Sequence, residues 1–277
     1  MYEYKTQNAR WAASYFDEFG EKEWTRLTGS PADRVSFEVH AHYIKKFIVQ
    51  GSRVLEIGAG PGRFTQVLEQ LGCTVLVSDV SQIQLDLHKK YSEELGFSKA
   101  VESWELLDVC DLKSLSTDSF DAVVVYGGPL SYVFDDALEA LQECVRVCKP
   151  QGHVLTSVMS MWGTVHRHLK GVLAIPAANN TKITDSGDVT KENWEKIAHQ
   201  CHMFRSEELR QLGVDSGLSI EAMSASSCLT LRWEDDLLDQ EENQDAWEEL
   251  LRMELEASAQ PGCLDMGTHL LLVGKKT

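Results

Sequence analysis

Val54-Leu55-Glu56-Ile57-Gly58-Ala59-Gly60-Pro61-Gly62-Arg63-Phe64-Thr65 is the stretch whose reading decides the fold. Arg53 to Ile57 reads as a strand, and residues 63 to 68 as the start of a helix, so three closely spaced glycines join a strand to a helix. Glycine has no Cβ and tolerates left-handed torsions, which lets the backbone approach a ligand. The helix that follows offers free N-H groups at its N-terminus. The spacing is G-x-G-x-G. A dinucleotide fingerprint, G-x-G-x-x-G, needs glycine at 63 and meets Arg63, which weakens a nicotinamide reading.

Outward from that loop, strands and helices alternate. Residues 74 to 78 form a strand, 81 to 95 a helix, and 101 to 107 a third strand. Ala122-Val123-Val124-Val125-Tyr126 is an almost unbroken β-branched run, as in a strand buried on both faces. A helix over about 136 to 147 ends at the turn Lys149-Pro150-Gln151-Gly152, and His153 to Val158 resumes the sheet. The rhythm predicts a doubly wound α/β domain with a mostly parallel sheet. From Met159 to about Phe204 the pattern lapses, with turn residues at Asn179-Asn180 and Asp185-Ser186-Gly187, and reads as a loop-rich lid or binding insertion. Then come a helix opening at Ser206, a strand over 218 to 224, an acidic helix over about 239 to 256 and a last strand over 269 to 273.

Before residue 50 the signals are helical. Trp11, Tyr15 and Phe16 share one face, and Val35, Val39, Tyr43 and Phe47 recur every four residues. The expected organisation is an N-terminal helical cap over 1–50 and a ligand-binding domain over 51–277, with the lid at about 160–205.

Two acids stand in register with the strand ends. Asp79 closes the second strand, where a carboxylate accepts ribose hydroxyls. Asp108 follows the third, where a carboxylate accepts the exocyclic amine of adenine. Together with the glycine loop they describe an adenosine cradle at the crevice where such sheets bind ligands.

These residues carry a resemblance. The glycine-loop stretch, Val77-Ser78-Asp79-Val80-Ser81, Leu107-Asp108-Val109, Phe120 to Tyr126 and the turn Lys149-Pro150-Gln151-Gly152-His153 resemble the class I S-adenosylmethionine (SAM) dependent methyltransferase family, most strongly over about residues 50 to 160. The resemblance implies a seven-stranded sheet with a reversed last strand near 269 to 274, and SAM as cofactor with S-adenosylhomocysteine as product. It implies that Gly58, Ala59, Gly60 and Gly62 pass beneath the methionine part and that Glu56 orders the loop or meets the amino group. Asp79 then holds the ribose, Val80 packs on adenine, Asp108 and Val109 read the adenine edge, and Tyr126 and Gly127 lie beside the sulfonium. Gln84 departs from the pattern, standing where many relatives place Met or Leu.

Methyl transfer from a sulfonium needs donor and acceptor held close, aligned and dry, and no particular catalytic residue type. Candidates for a base are Tyr126 and the histidines at 40, 42, 166, 168, 199 and 202, with His166 and His202 foremost because they lie in the lid. Tyr126-Gly127-Gly128-Pro129-Leu130-Ser131-Tyr132 opens at the ligand edge and is either an acceptor wall or a plain turn. Trp11, Tyr15, Trp24 and Trp162 are candidates to close the site, and helix packing explains the first two equally well.

Composition narrows the acceptor. The 277 residues hold 43 acidic against 26 basic side chains, a formal charge of -17, so the long-range field repels nucleic acid and anionic membranes. The run Glu234-Asp235-Asp236 with Glu241-Glu242 reads as solvated surface. No run of about 18 apolar residues exists and Met1-Tyr2-Glu3-Tyr4-Lys5 has no signal-peptide core, which points to the cytosol. Seven scattered cysteines without a C-x-x-C pair argue against a disulfide framework or zinc site, and Cys144 and Cys148 read as packing residues. No spacing suits a metal cluster, so a metal-independent reaction is expected. The N-terminal helices and the insertion, by resemblance, imply a small organic acceptor. The alternative is a SAM-binding partner subunit or sensor without catalysis; loss of Asp79 or a loop glycine would favour it, and neither is lost.

Overall fold

The computed structural model describes residues 4–233, 236–237 and 241–277. The expected solvated acids at 234 and 235, and the expected start of the acidic helix at 239, lie outside the described residues, as do the first three residues.

The chain opens with helices α1 (Gln7–Phe19), α2 (Lys22–Arg26) and α3 (Pro31–Phe47). Thr6 caps α1 by accepting the Ala9 amide at 3.0 Å, and Gly20 ends it with a positive φ. Ser30 caps α3 with Pro31 in its first turn, where a missing N-H costs nothing. The units that follow are β1 (Arg53–Ile57), α4 (Arg63–Gln70), β2 (Thr74–Asp79), α5 (Gln82–Glu94), β3 (Val101–Leu106), β4 (Phe120–Val125), α6 (Ala137–Val147) and β5 (Cys148–Met159). The insertion contains α7 (Met161–Arg167), α8 (Leu169–Val172), α9 (Ala177–Ser186) and a small ribbon of β6 (Asp188–Val189) and β7 (Cys201–His202). Then come α10 (Ser206–Asp215), β8 (Leu218–Ala225), α11 (Gln244–Ser258) and β9 (His269–Lys276).

Seven strands form one sheet in the order β3-β2-β1-β4-β5-β9-β8. All pair in parallel except β9, which runs antiparallel to both β5 and β8. Successive side chains leave a strand on opposite faces, and both faces are covered. On one face Leu55, Val123 and Val125 pack with Leu141 and Cys144 of α6 and Leu209 of α10. On the other Val54, Val75, Ala122 and Val124 pack with Val35 and Val39 of α3, Leu68 of α4 and Leu85 of α5. The third N-terminal helix therefore shares the core of the sheet, whereas α1 and α2 lie over its edge. Chain connections leave β1 and β4 in opposite directions, which opens a crevice at their carboxyl ends.

Three expectations need correction. The segment 159–204 is not loop-rich: it folds into short helices and a ribbon, and Asn179 and Asn180 lie inside α9. Their turn-forming character is used in another way, since Asn180 Nδ2 donates to the carbonyl of Val172 at 2.8 Å and ties α9 to α8. Helices of four to ten residues bury too few side chains to display a period. The turn at 149–152 is not a break before β5 but a bulge within it, since Phe120 faces Cys148 while Ala122 faces His153. Glu241 is not merely solvated, because it forms an ion pair with Arg34 of α3. The acidic helix begins at Gln244.

Helix α7 sits against the turn before β9. A Cβ built on Gly163 would lie 1.7 Å from the carbonyl oxygen of Gly267, so backbone meets backbone there. Gly163→Ala is expected to cost on the order of 3 kcal/mol by overpacking, lowering the melting temperature by roughly 10 °C in a thermal scan; a loss below about 3 °C would contradict this contact.

Candidate functional site

β1 delivers its last residues into the crevice, and the loop 58–62 turns the chain into α4. At Gly58, with φ +67°, a Cβ would fall 2.6 Å from Pro129 Cγ, so only glycine fits beneath the segment that follows β4. Asp79 ends β2 beside this loop. Its Oδ2 accepts the Gly60 amide and its Oδ1 the Ser81 amide, both at 2.9 Å. Burial pushes the Asp79 carboxyl up to about 6, against the two amides, which hold it down. Asp108 Oδ1 accepts the Cys110 amide at 2.9 Å, and burial raises this carboxyl as well.

These groups line one cavity at the carboxyl ends of β1, β2 and β4. Gly58, Ala59, Gly60, Asp79, Val80, Asp108, Val109, Tyr126 and Gly127, all singled out in the sequence, contribute to its wall. Glu56 and Gly62 do not. Gly62 caps α4 in the left-handed region, where a Cβ would lie 2.9 Å from His88 Nε2. Glu56 turns away into a buried chain of hydrogen bonds. Trp104 Nε1 donates to His88 Nδ1 at 3.0 Å; an indole only donates, so the remaining imidazole proton is on Nε2 and reaches Thr65 Oγ1 at 2.8 Å. Thr65 in turn donates to Glu56 Oε2 at 2.6 Å. Burial raises the Glu56 carboxyl to about 8 and lowers His88 to about 4.

The lid over this cavity comes from the N-terminus. Ala9, Ala12 and Phe16 of α1, together with Glu23, Arg26 and Leu27, close it. Helix α1 is fastened by Asp17, which accepts the Ser81 hydroxyl at 2.5 Å, and by Gln84. The Gln84 amide donates to the carbonyls of Phe16 and Gly20 at 3.0 and 3.1 Å, so the residue that departs from the usual apolar type holds the lid down. No sequence signal marked these closing residues, because only their docking gives them a role. Trp24 stacks on Tyr91 under the Arg63 guanidinium, and Trp162 is exposed on α7.

A second cavity adjoins the first. Phe16, Glu23, Arg26, Leu27 and Tyr132 line both. Beyond that shared wall it is bounded by Tyr15, Phe19, Asp33, Arg167, His199 and His269. Arg26 pairs with Glu23 at 2.6 Å. His199 is lowered to about 4 by burial and by Arg26, and His269 lies well below the usual range by burial and by Arg26, His40 and His199.

The foremost base candidates from the sequence are not here. His166 is exposed on α7 and lines neither cavity. His202 is held between Asp188 and Glu208, both at 2.7 Å, and pins the β6-β7 ribbon to α10. Burial works against its proton, but the two carboxylates outweigh it and raise its pKa. Tyr126 presents its ring to the first cavity while its hydroxyl is buried without a partner among the described residues, and burial drives its pKa well up, so it supplies no phenolate.

Comparison with known proteins matches this geometry. Residues 55–156 match the family model described as a methyltransferase domain. That stretch carries the glycine loop, Asp79 and Asp108, and the sheet order is the fold of class I SAM-dependent methyltransferases. It is similar to the ubiquinone biosynthesis O-methyltransferase of Vibrio parahaemolyticus, at 26% identity over 64% of this chain and 71% of that protein. It also resembles the protein of that name from Actinobacillus pleuropneumoniae, at 28% identity over 45% of this chain and 50% of the relative. A solved magnesium protoporphyrin IX methyltransferase from Synechocystis, with S-adenosylhomocysteine bound, shares the fold with a TM-score of 0.60 at 14% identity, covering 98% of this chain and all (100%) of that chain.

The Glu56 carboxyl gives a stability test. Its pKa is higher in the folded than in the unfolded chain, so its contribution is full below about 4.5 and is lost as pH rises through about 8. Glu56→Gln keeps the shape and removes the titration. Thermal scans at pH 5 and pH 9 are expected to show a smaller fall for the variant than for the parent, by several degrees; parallel falls would contradict a protonated Glu56.

Proposed function

We propose that this enzyme moves a methyl group from SAM to a small organic acceptor, with the cofactor in the first cavity and the acceptor in the second. The observation that carries this reading is the pair of adjoining cavities with one shared wall, the arrangement that brings donor and acceptor within reach while helices α1 and α2 keep water out. The formal charge of -17 supports a small molecule over nucleic acid. The relatives are named O-methyltransferases, which favours oxygen as the receiving atom. Among the described residues no helix is long and apolar enough to cross a membrane.

The residues of the first cavity suit SAM. Asp79 is a buried carboxylate at a strand end, fixed by two amides and suited to accept paired ribose hydroxyls. Val80, Leu107 and Val109 offer apolar surface for a flat base, and Asp108 lies beside them to accept its amine. Gly58, Gly60 and Gly127 keep the floor free of side chains. When bound, SAM supplies a methyl carbon on a sulfonium whose leaving group is a neutral thioether. Phe16 and Tyr132 screen that junction from solvent, and the backbone of Tyr126 and Gly127 flanks it.

Calorimetric titration with S-adenosylhomocysteine tests the cofactor site. Asp79→Ala removes a charged hydrogen-bond acceptor worth about 2 to 3 kcal/mol, so affinity is expected to fall roughly 30- to 150-fold. Parent affinity should also weaken as pH drops through about 6, where Asp79 takes up a proton. A variant that binds as tightly as the parent would contradict the assignment.

A further inference from the structure

We propose that His199 is the general base of the transfer, taking the proton from the hydroxyl of a flat aromatic acceptor lodged in the second cavity. The proposal rests on the reading of that cavity as the acceptor site.

Three observations single out His199. It stands at the end of the ribbon insertion but reaches back to the shared wall, where its Nε2 lies 3.0 Å from the hydroxyl of Tyr132. Tyr132 lines both cavities, so His199 is one hydrogen bond from the junction where a methyl group would pass. Second, its ring stacks on Tyr15 of α1 at 5.1 Å and 26°, which fixes its plane. Third, its Nδ1 has no hydrogen-bond partner among the described residues. The proposal assigns the ring proton to Nε2, donated to Tyr132, which leaves the lone pair on Nδ1 of a positioned ring that lines the second cavity, the arrangement a general base requires. Tyr132 is then the positioning residue.

The other imidazoles fit less well. His269 also lines the cavity, but it starts β9 beside Thr268 and, among the described residues, has no hydrogen bond or ring contact with Tyr132. His168 is exposed at the outer rim, and His40 is tied through Nδ1 to the Ser36 carbonyl at 2.7 Å, outside the cavity. The groups that act on His199 are Tyr15 from α1, Arg26 from α2, Tyr132 after β4 and His269 from β9, and Glu23 and Asp33 share its cavity. Burial and the Arg26 charge lower its pKa to about 4, so its imidazole is neutral at neutral pH and keeps a lone pair. The cavity has no lysine, and its two arginines, Arg26 and Arg167, are always protonated. Tyr15, Phe16, Phe19 and Tyr132 supply ring faces for a planar guest.

In the step, the acceptor oxygen forms its bond to the methyl carbon as its O-H proton passes to Nδ1 of His199. The carbon-sulfur bond breaks with its electron pair remaining on sulfur. The positive charge thus moves from sulfonium to imidazolium, and His199 returns to neutrality by releasing the proton to water.

The test compares the parent with His199→Gln and, as a control outside both cavities, His166→Gln, using catechol and 3,4-dihydroxybenzoate as acceptors. Turnover of SAM is measured beside calorimetric affinities for S-adenosylhomocysteine and, in its presence, for catechol. The expected result is a fall in kcat on the order of 10²- to 10⁴-fold for His199→Gln, with both affinities within about threefold of the parent, and little change in kcat for His166→Gln. Added imidazole should restore turnover to His199→Ala. A His199→Gln kcat within threefold of the parent overturns the proposal, and so does loss of catechol affinity in step with turnover, which makes His199 a binding group only. A parent that binds S-adenosylhomocysteine but methylates neither phenol overturns the acceptor and base assignment and leaves the cofactor reading standing. A parent that does not bind S-adenosylhomocysteine overturns both.

Discussion

The buried carboxylate of Asp79 is the constraint on which the rest of the site depends. A charge taken out of water is costly unless hydrogen bonds replace its hydration. Here the replacement comes from the amides of Gly60 and Ser81, one in the loop after β1 and one at the cap of α5. One side chain therefore fixes the glycine loop against the end of the neighbouring strand, and the first cavity takes its shape from that junction. Ser81 carries the constraint outward, since its hydroxyl binds Asp17 and so places α1 over the opening.

The sheet and its ligand edge were legible in the sequence because their signals are local. Continuous β-branched runs such as Val123 to Val125 mark strands buried on both faces, and the glycines at 58 and 60 mark a close approach of backbone. Asp79 and Asp108 could be set at strand ends by counting. Glu56 was legible as part of the motif but not as the end of a buried chain through Thr65, His88 and Trp104, since residues from three separate elements meet there. The placement of His166 and His202 failed for a similar reason. Their position in the insertion was visible, but whether an imidazole faces a cavity, solvent or a pair of carboxylates depends on how short helices dock, and those helices carry too few apolar residues to show a period.

The division of labour in the fold follows from these differences. Strand ends supply the fixed groups of the first cavity, whereas α1, α2 and the insertion supply the walls of the second cavity through long-range contacts such as His199 with Tyr132 and Tyr15. Surfaces assembled this way can diverge without disturbing the sheet, in keeping with a fold that serves many acceptors.

A crystal structure of the protein grown with S-adenosylhomocysteine tests the central claim most directly. The account predicts the nucleoside in the first cavity, its ribose hydroxyls on Asp79, its base between Val80 and Val109, and its sulfur facing the wall shared by Phe16, Arg26 and Tyr132. Ligand density in the second cavity, or a ribose away from Asp79, would contradict it.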